Sequence, residues 1–164
     1  MNITFEGKPI VLDGDQIKVN DILGDFTVSA NNLSQLSLAD TSGVRIFLTV
    51  PSLDTPVCSV EVNTFNRRVS EIPGVTLFIV SMDLPFAQNR FCAANNINNV
   101  VTVSDYIGAT FAKATGTYIN DMGLLTRAVF VVDSNNRVVY TEYVEEITNL
   151  PNFDAAISAA TNIK

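Results

Sequence analysis

Two runs of apolar and β-branched side chains restrict this chain more than any other feature. They are Val44-Arg45-Ile46-Phe47-Leu48-Thr49-Val50 and Val75-Thr76-Leu77-Phe78-Ile79-Val80. Neither alternates cleanly between apolar and polar residues, so each reads as a strand covered on both faces. The stretch 56–70 between them has helical spacing. A shorter strand is predicted at 100–103 and another at 128–132, with helices over 84–94 and 106–115 between the strands. Asp133-Ser134-Asn135-Asn136 is a turn signal, which makes 137–144 the antiparallel partner of 128–132. A closing helix is predicted over 152–160, opened by Pro151. At the start, 3–6 and 9–12 flank Gly7-Lys8 as a hairpin, followed by a turn at Asp13-Gly14-Asp15. Between 26 and 43 only one short strand, at 26–29, stands out. Alternating strands and helices imply an α/β domain, its mixed central sheet flanked by helices, with an N-terminal β-hairpin. No repeat, linker or low-complexity tract divides residues 1–164, so one domain is expected.

Composition narrows the function. Apolar residues make up 47% and charged residues 16% of 164, enough for a sizeable core. The net charge of −7 speaks against nucleic-acid binding, which needs basic side chains to neutralise phosphates, and against an anionic membrane surface. No apolar run approaches the roughly 20 residues that span a bilayer. No basic, then apolar, leader opens the sequence, so a cytoplasmic location is expected. Histidine is absent, which removes Ser-His-Asp and Cys-His catalysis and His-ligated metal sites. The two cysteines, Cys58 and Cys92, do not form a C-x-x-C pair.

Cys58 stands where chemistry is expected. Pro51-Ser52-Leu53-Asp54-Thr55-Pro56-Val57-Cys58 joins a buried strand to a helix. Thr55 is suited to cap that helix and Pro56 to its first position. Cys58 then lies in the first turn, among unpaired N–H groups at the positive end of the helix dipole, where thiolate is favoured over thiol. Cys58, Val62, Phe65 and Val69 form one apolar stripe, so the sulfur should face inward, while Glu61, Asn63, Asn66 and Arg67 mostly lie elsewhere. Buried cysteines are more often packing than chemistry. By position alone, Thr55 is equally a plain helix cap and Pro51 a strand stop.

The segment 51–58 resembles the Pro-x-x-x-Thr/Ser-x-x-Cys motif of peroxiredoxins, in the form found in the thiol peroxidase subfamily (atypical two-cysteine peroxiredoxins). Asp83-Leu84-Pro85-Phe86-Ala87-Gln88-Asn89-Arg90-Phe91-Cys92 resembles the helix that carries that subfamily's resolving cysteine. Asn98-Asn99-Val100, Thr126-Arg127-Ala128-Val129 and Val144-Glu145-Glu146-Ile147-Thr148 are similar too, so the likeness spans nearly the whole chain. One departure is Pro56, where some members carry Gly.

The resemblance implies a thioredoxin-like fold, a homodimer, and no metal or organic cofactor. It implies reduction of hydrogen peroxide and organic hydroperoxides with thioredoxin as electron donor. Cys58 would be the peroxidatic nucleophile and become a sulfenic acid. Thr55 would orient the peroxide and hydrogen-bond the sulfur, and Pro51 would shield it from water. Six arginines are present and only the motif selects Arg127, which would face the charge developing on the leaving oxygen. Cys92 would resolve the sulfenic acid as an intramolecular disulfide; as a bare residue it reads equally as a core cysteine. A disulfide needs Cα atoms within about 7 Å, so cysteines on separate helices require local unfolding around both. A glutathione or glutaredoxin donor, a redox sensor that does not turn over, and a scaffold with inert cysteines are the competing readings.

Overall fold

The computed structural model describes residues 2–163. Strands β1 (Ile3–Phe5) and β2 (Lys8–Ile10) pair antiparallel as the expected hairpin. Glu6 and Gly7 turn it with φ of 50° and 76°, the positive values a two-residue hairpin loop needs. Next come β3 (Leu12–Asp13), β4 (Thr27–Ala30), β5 (Gln35–Ser37) and β6 (Val44–Thr49). Helix α1 (Pro56–Val69), β7 (Val75–Ser81), α2 (Pro85–Ala94), β8 (Val100–Ser104) and α3 (Thr110–Thr115) follow. The short strands β9 (Tyr118–Ile119) and β10 (Leu124–Leu125) lead to β11 (Ala128–Val132), β12 (Val138–Tyr143) and α4 (Phe153–Thr161).

Seven strands form one mixed sheet in the order β12-β11-β6-β7-β8-β4-β5. Its centre, β6-β7-β8, is parallel, and antiparallel strands extend it on both sides. The two-residue alternation of strand side chains feeds a core on each face. Ile46 and Leu48 of β6 and Val129 and Val131 of β11 pack with Val62 and Phe65 of α1 and Ala156 of α4. Phe47 and Phe130 point the other way, to Phe26, Phe78 and Phe111, with the Phe47 and Phe78 rings stacked at 5.1 Å. Helices therefore cover both faces. Arg45, the one charge inside the β6 run, is 1% exposed. Its guanidinium donates to Gly43 O, Thr41 Oγ1 and Asp133 O, which supply what burial takes away.

Three regions differ from the sequence expectation. Residues 26–43 hold a β4–β5 hairpin, since polar side chains suffice where one side of a strand pair is wet. A small sheet β10-β9-β3 also forms, with Asp13 in a strand where a turn is predicted. Strands of two residues carry no periodicity to read. Helix α3 starts at Thr110 and not at 106. The Asp105 carboxylate accepts from Phe111 N (3.2 Å) and Ala112 N (2.9 Å), capping the helix from outside it, and Ala109 enters through the left-handed region. Burial outweighs these donors and raises the Asp105 carboxyl to about 6.

Gly116 ends α3 with φ of 65° and turns the chain toward β9 and β10. A Cβ there would lie 2.5 Å from Asp15 O, so both conformation and space require glycine. Gly116→Ala should cost about 2 kcal/mol or more, read as a lower midpoint in urea denaturation.

Candidate active site

Four segments converge at the N-terminus of α1. Strand β6 ends at Thr49, whose buried hydroxyl donates to Thr126 O at 2.8 Å. That bond holds the end of β6 against the residue preceding Arg127. The loop 50–55 is held by a second anchor. Asp83, before α2, accepts from Ser52 Oγ (2.7 Å) and Leu53 N (2.8 Å). Thr55 caps α1, accepting from Cys58 N at 3.4 Å, with Pro56 at the first helical position. The inward stripe is as its spacing predicts: Cys58, Val62, Phe65 and Val69 are all buried.

Arg127, 2% exposed, reaches this point from between β10 and β11. Its Nη2 donates to Cys58 Sγ at 3.2 Å and its Nε to Ile147 O at 2.9 Å. Its Nη1 pairs with Glu61 Oε2. Three acceptors, two on α1 and one in the loop after β12, thus fix one planar guanidinium. Glu61 is wholly buried on the same side of α1 as Cys58, contrary to the expectation that it lies elsewhere. It follows Cys58 by three residues, a spacing that shares a helix face, so the sequence carried a signal for its position but none for its partner. Asp83 carried no such signal, because its partners lie some thirty residues away.

Burial raises the Glu61 carboxyl to about 8, with the Arg127 charge pulling the other way. The Glu61 carboxyl orients the guanidinium so that another of its nitrogens faces Cys58. Thr55 differs from expectation in one respect. Its hydroxyl donates to Ser52 O at 3.1 Å, not to the sulfur.

Beside this cluster opens a cavity of about 270 Å³, its lining mostly apolar, bounded by Phe5, Pro51, Thr55, Met122, Arg127 and Ile147 among others. The structure therefore brings Pro51, Thr55, Cys58 and Arg127 together. Cys92 is placed elsewhere, half-buried on α2, with Sγ 3.6 Å from Thr102 Oγ1. Burial raises its thiol above the ordinary range. Both cysteines are free. Among the described residues no group of three or more His, Cys, Asp or Glu is placed to hold a metal ion, and no helix is long and apolar enough to cross a membrane.

A buried arginine donating to a cysteine at a helix start is the arrangement that the sequence resemblance leads one to seek. Residues 18–157 match the Redoxin family model. The chain is 52% identical to a thiol peroxidase of Clostridium acetobutylicum over 164 residues, covering all of both chains. The chain belongs to the thiol peroxidase group of the redoxin family. A thiol peroxidase of Bacillus subtilis is 47% identical over 96% of this chain and 95% of its own. The crystal structure of a peroxiredoxin-like protein from Aquifex aeolicus superposes with a TM-score of 0.91 at 37% identity, covering 97% of this chain and 95% of that one. The fold is thioredoxin-like, as expected, and membership of this group brings thiol-based reduction of peroxides.

The raised Glu61 carboxyl gives a pH test. The folded value, about 8, lies above the ordinary 4.5. Between the two, the folded chain keeps a proton that the unfolded chain has lost, so this group's contribution to stability falls as pH rises. Glu61→Gln removes that dependence. The variant should gain on the wild type in unfolding free energy between about pH 5 and about pH 8, measured by urea denaturation. An unchanged difference across that range would mean that Glu61 is ionised throughout.

Proposed function

We propose that Cys58 is the peroxidatic cysteine, Cys92 the resolving cysteine and thioredoxin the electron donor of this thiol peroxidase. The observation that carries the reading is the Arg127 Nη2 to Cys58 Sγ contact of 3.2 Å. A guanidinium held by Glu61 and Ile147 O stabilises a thiolate without having to reorganise. The thiolate attacks one oxygen of the hydroperoxide. The O–O bond breaks, sulfur takes up that oxygen as sulfenic acid, and the other oxygen leaves as water or an alcohol after gaining a proton. Arg127 faces the charge that builds on the leaving oxygen. Thr55 borders the cavity through which peroxide arrives, and rotation of its hydroxyl away from Ser52 O would direct it to the bound peroxide. Buried Pro51 keeps water off the sulfur.

The Cys92 thiol then attacks the sulfenic sulfur, an S–S bond forms and water leaves. Its burial on α2 disfavours ionisation, so Cys92 is a poor nucleophile until that helix opens. Opening also provides the approach that a disulfide needs. Thioredoxin exchanges its dithiol for this disulfide and restores both thiols. The same reading takes 1–164 as one domain of a cytoplasmic homodimer, acting on hydrogen peroxide and organic hydroperoxides. Exposed Val60 and Leu150, beside α1, offer apolar surface to a protein partner.

Titrating the reduced protein with hydrogen peroxide, read by intact mass and free-thiol count, tests the reading. Both thiols should disappear with loss of two hydrogens and no crosslinked dimer, while Cys92→Ser should gain oxygen at Cys58. Turnover should then appear with thioredoxin, its reductase and NADPH. Oxygen gain at Cys58 in the wild type, with Cys92 still free, would remove the resolving role. No reaction in the wild type would remove the peroxidatic one.

A further inference from the structure

The cavity beside Cys58 has a wall that the reaction itself does not need. Phe5 belongs to the β1–β2 hairpin, which is paired with none of the strands of the central sheet. Buried Ile3 anchors it in the core, and its polar groups are met by the segment 145–148. Thr4 N donates to Glu145 O at 2.7 Å and Ile147 N to Thr4 O at 2.9 Å. The Glu146 carboxylate gathers the rest. Its Oε2 accepts from Thr4 Oγ1 (2.7 Å) and Gly7 N (3.0 Å). Its Oε1 accepts from Glu6 N (3.0 Å), Thr148 N (3.2 Å) and Thr148 Oγ1 (2.8 Å). One side chain thus takes five donors, three from the hairpin and two from its own loop. These donors hold the carboxyl at about 2, well below the usual range.

This arrangement bears on the substrate. Hydrogen peroxide carries no substituent and needs only the groups around the sulfur. An organic hydroperoxide brings an apolar group, and the mostly apolar cavity bounded by Phe5, Pro51, Met122, Leu124 and Ile147 is where that group would be buried. Ile147 is held by Arg127 through its carbonyl and Pro51 lies at the start of the loop anchored by Asp83, whereas Phe5 is present only while the hairpin stays docked.

We infer that Glu146 is a positioning residue that docks the β1–β2 hairpin, and that the Phe5 wall so formed sets how strongly an apolar hydroperoxide is favoured over hydrogen peroxide. The inference rests on the proposed peroxidase reading and deepens it. Burying a substituent against an aromatic side chain lowers the barrier only for substrates that have one.

The test measures rate constants for thiol consumption with cumene hydroperoxide and with hydrogen peroxide, on the full chain. Glu146→Gln keeps the size of the side chain but cannot accept all five bonds, and Phe5→Ala removes the wall directly. In each, the ratio of the cumene hydroperoxide constant to the hydrogen peroxide constant should fall about tenfold from the wild-type ratio. A purely structural role would move both constants together and leave the ratio unchanged. An unchanged ratio in Phe5→Ala overturns the inference, whatever the stability of the Glu146 variant. An altered ratio in Phe5→Ala alone, with Glu146→Gln folded and at the wild-type ratio, overturns the role of Glu146. A wild type that consumes neither peroxide would overturn the proposed function, and this inference with it.

Discussion

A positive charge with almost no water around it is the constraint on which the site depends. Moving an ammonium- or guanidinium-like ion out of water costs several kcal/mol even after relaxation, and Arg127 is 2% exposed. The surroundings offset that cost by presenting an acceptor to each guanidinium nitrogen: Ile147 O, Glu61 and Cys58 Sγ. Glu61 and Cys58 come from α1 and Ile147 O from the loop after β12, while Arg127 itself leads into β11, so helix, loop and sheet must all be in place before the charge is tolerated. Cys58 is one of those acceptors. The sulfur thus serves the folded structure by accepting from the buried guanidinium.

That dependence explains the local architecture. The Thr49 hydroxyl bonded to Thr126 O keeps the strand end and the arginine in register. Asp83 holds Ser52 and Leu53, and with them the loop that delivers Thr55 to the start of α1. Asp83 also sits just ahead of α2, so one carboxylate lies between the loop leading to Cys58 and the helix carrying Cys92.

The legible part of this molecule was its apolar pattern. The runs that became β6, β7 and β11 are long and hydrophobic, and the Cys58-Val62-Phe65-Val69 stripe fixed which way the cysteine faces. Thr55 and Pro56 announced the helix start through cap chemistry. Other features depend on partners distant in sequence. The two-residue strands β3, β9 and β10 exist only through each other, and the start of α3 depends on Asp105 reaching past a left-handed Ala109. Glu61 could be placed on the inward face by counting, but that it meets Arg127 follows only from how β11 lies against α1. The Thr55 hydroxyl is subtler still. A cap and a bond to the sulfur use the same oxygen, and sequence cannot say where its proton points.

The bond from Thr4 to Glu146 spans 142 residues, and the contact from Arg127 to Cys58 spans 69. Synthesis runs in one direction. A ribosome-bound chain that has released only α1 has Cys58 but neither the guanidinium nor the far wall of the cavity. Both contacts must close long loops. Competence toward peroxide therefore arrives late and nearly all at once, when the segment 127–148 folds back across the beginning of the chain. Until then Cys58 is one more thiol on an unfinished polypeptide.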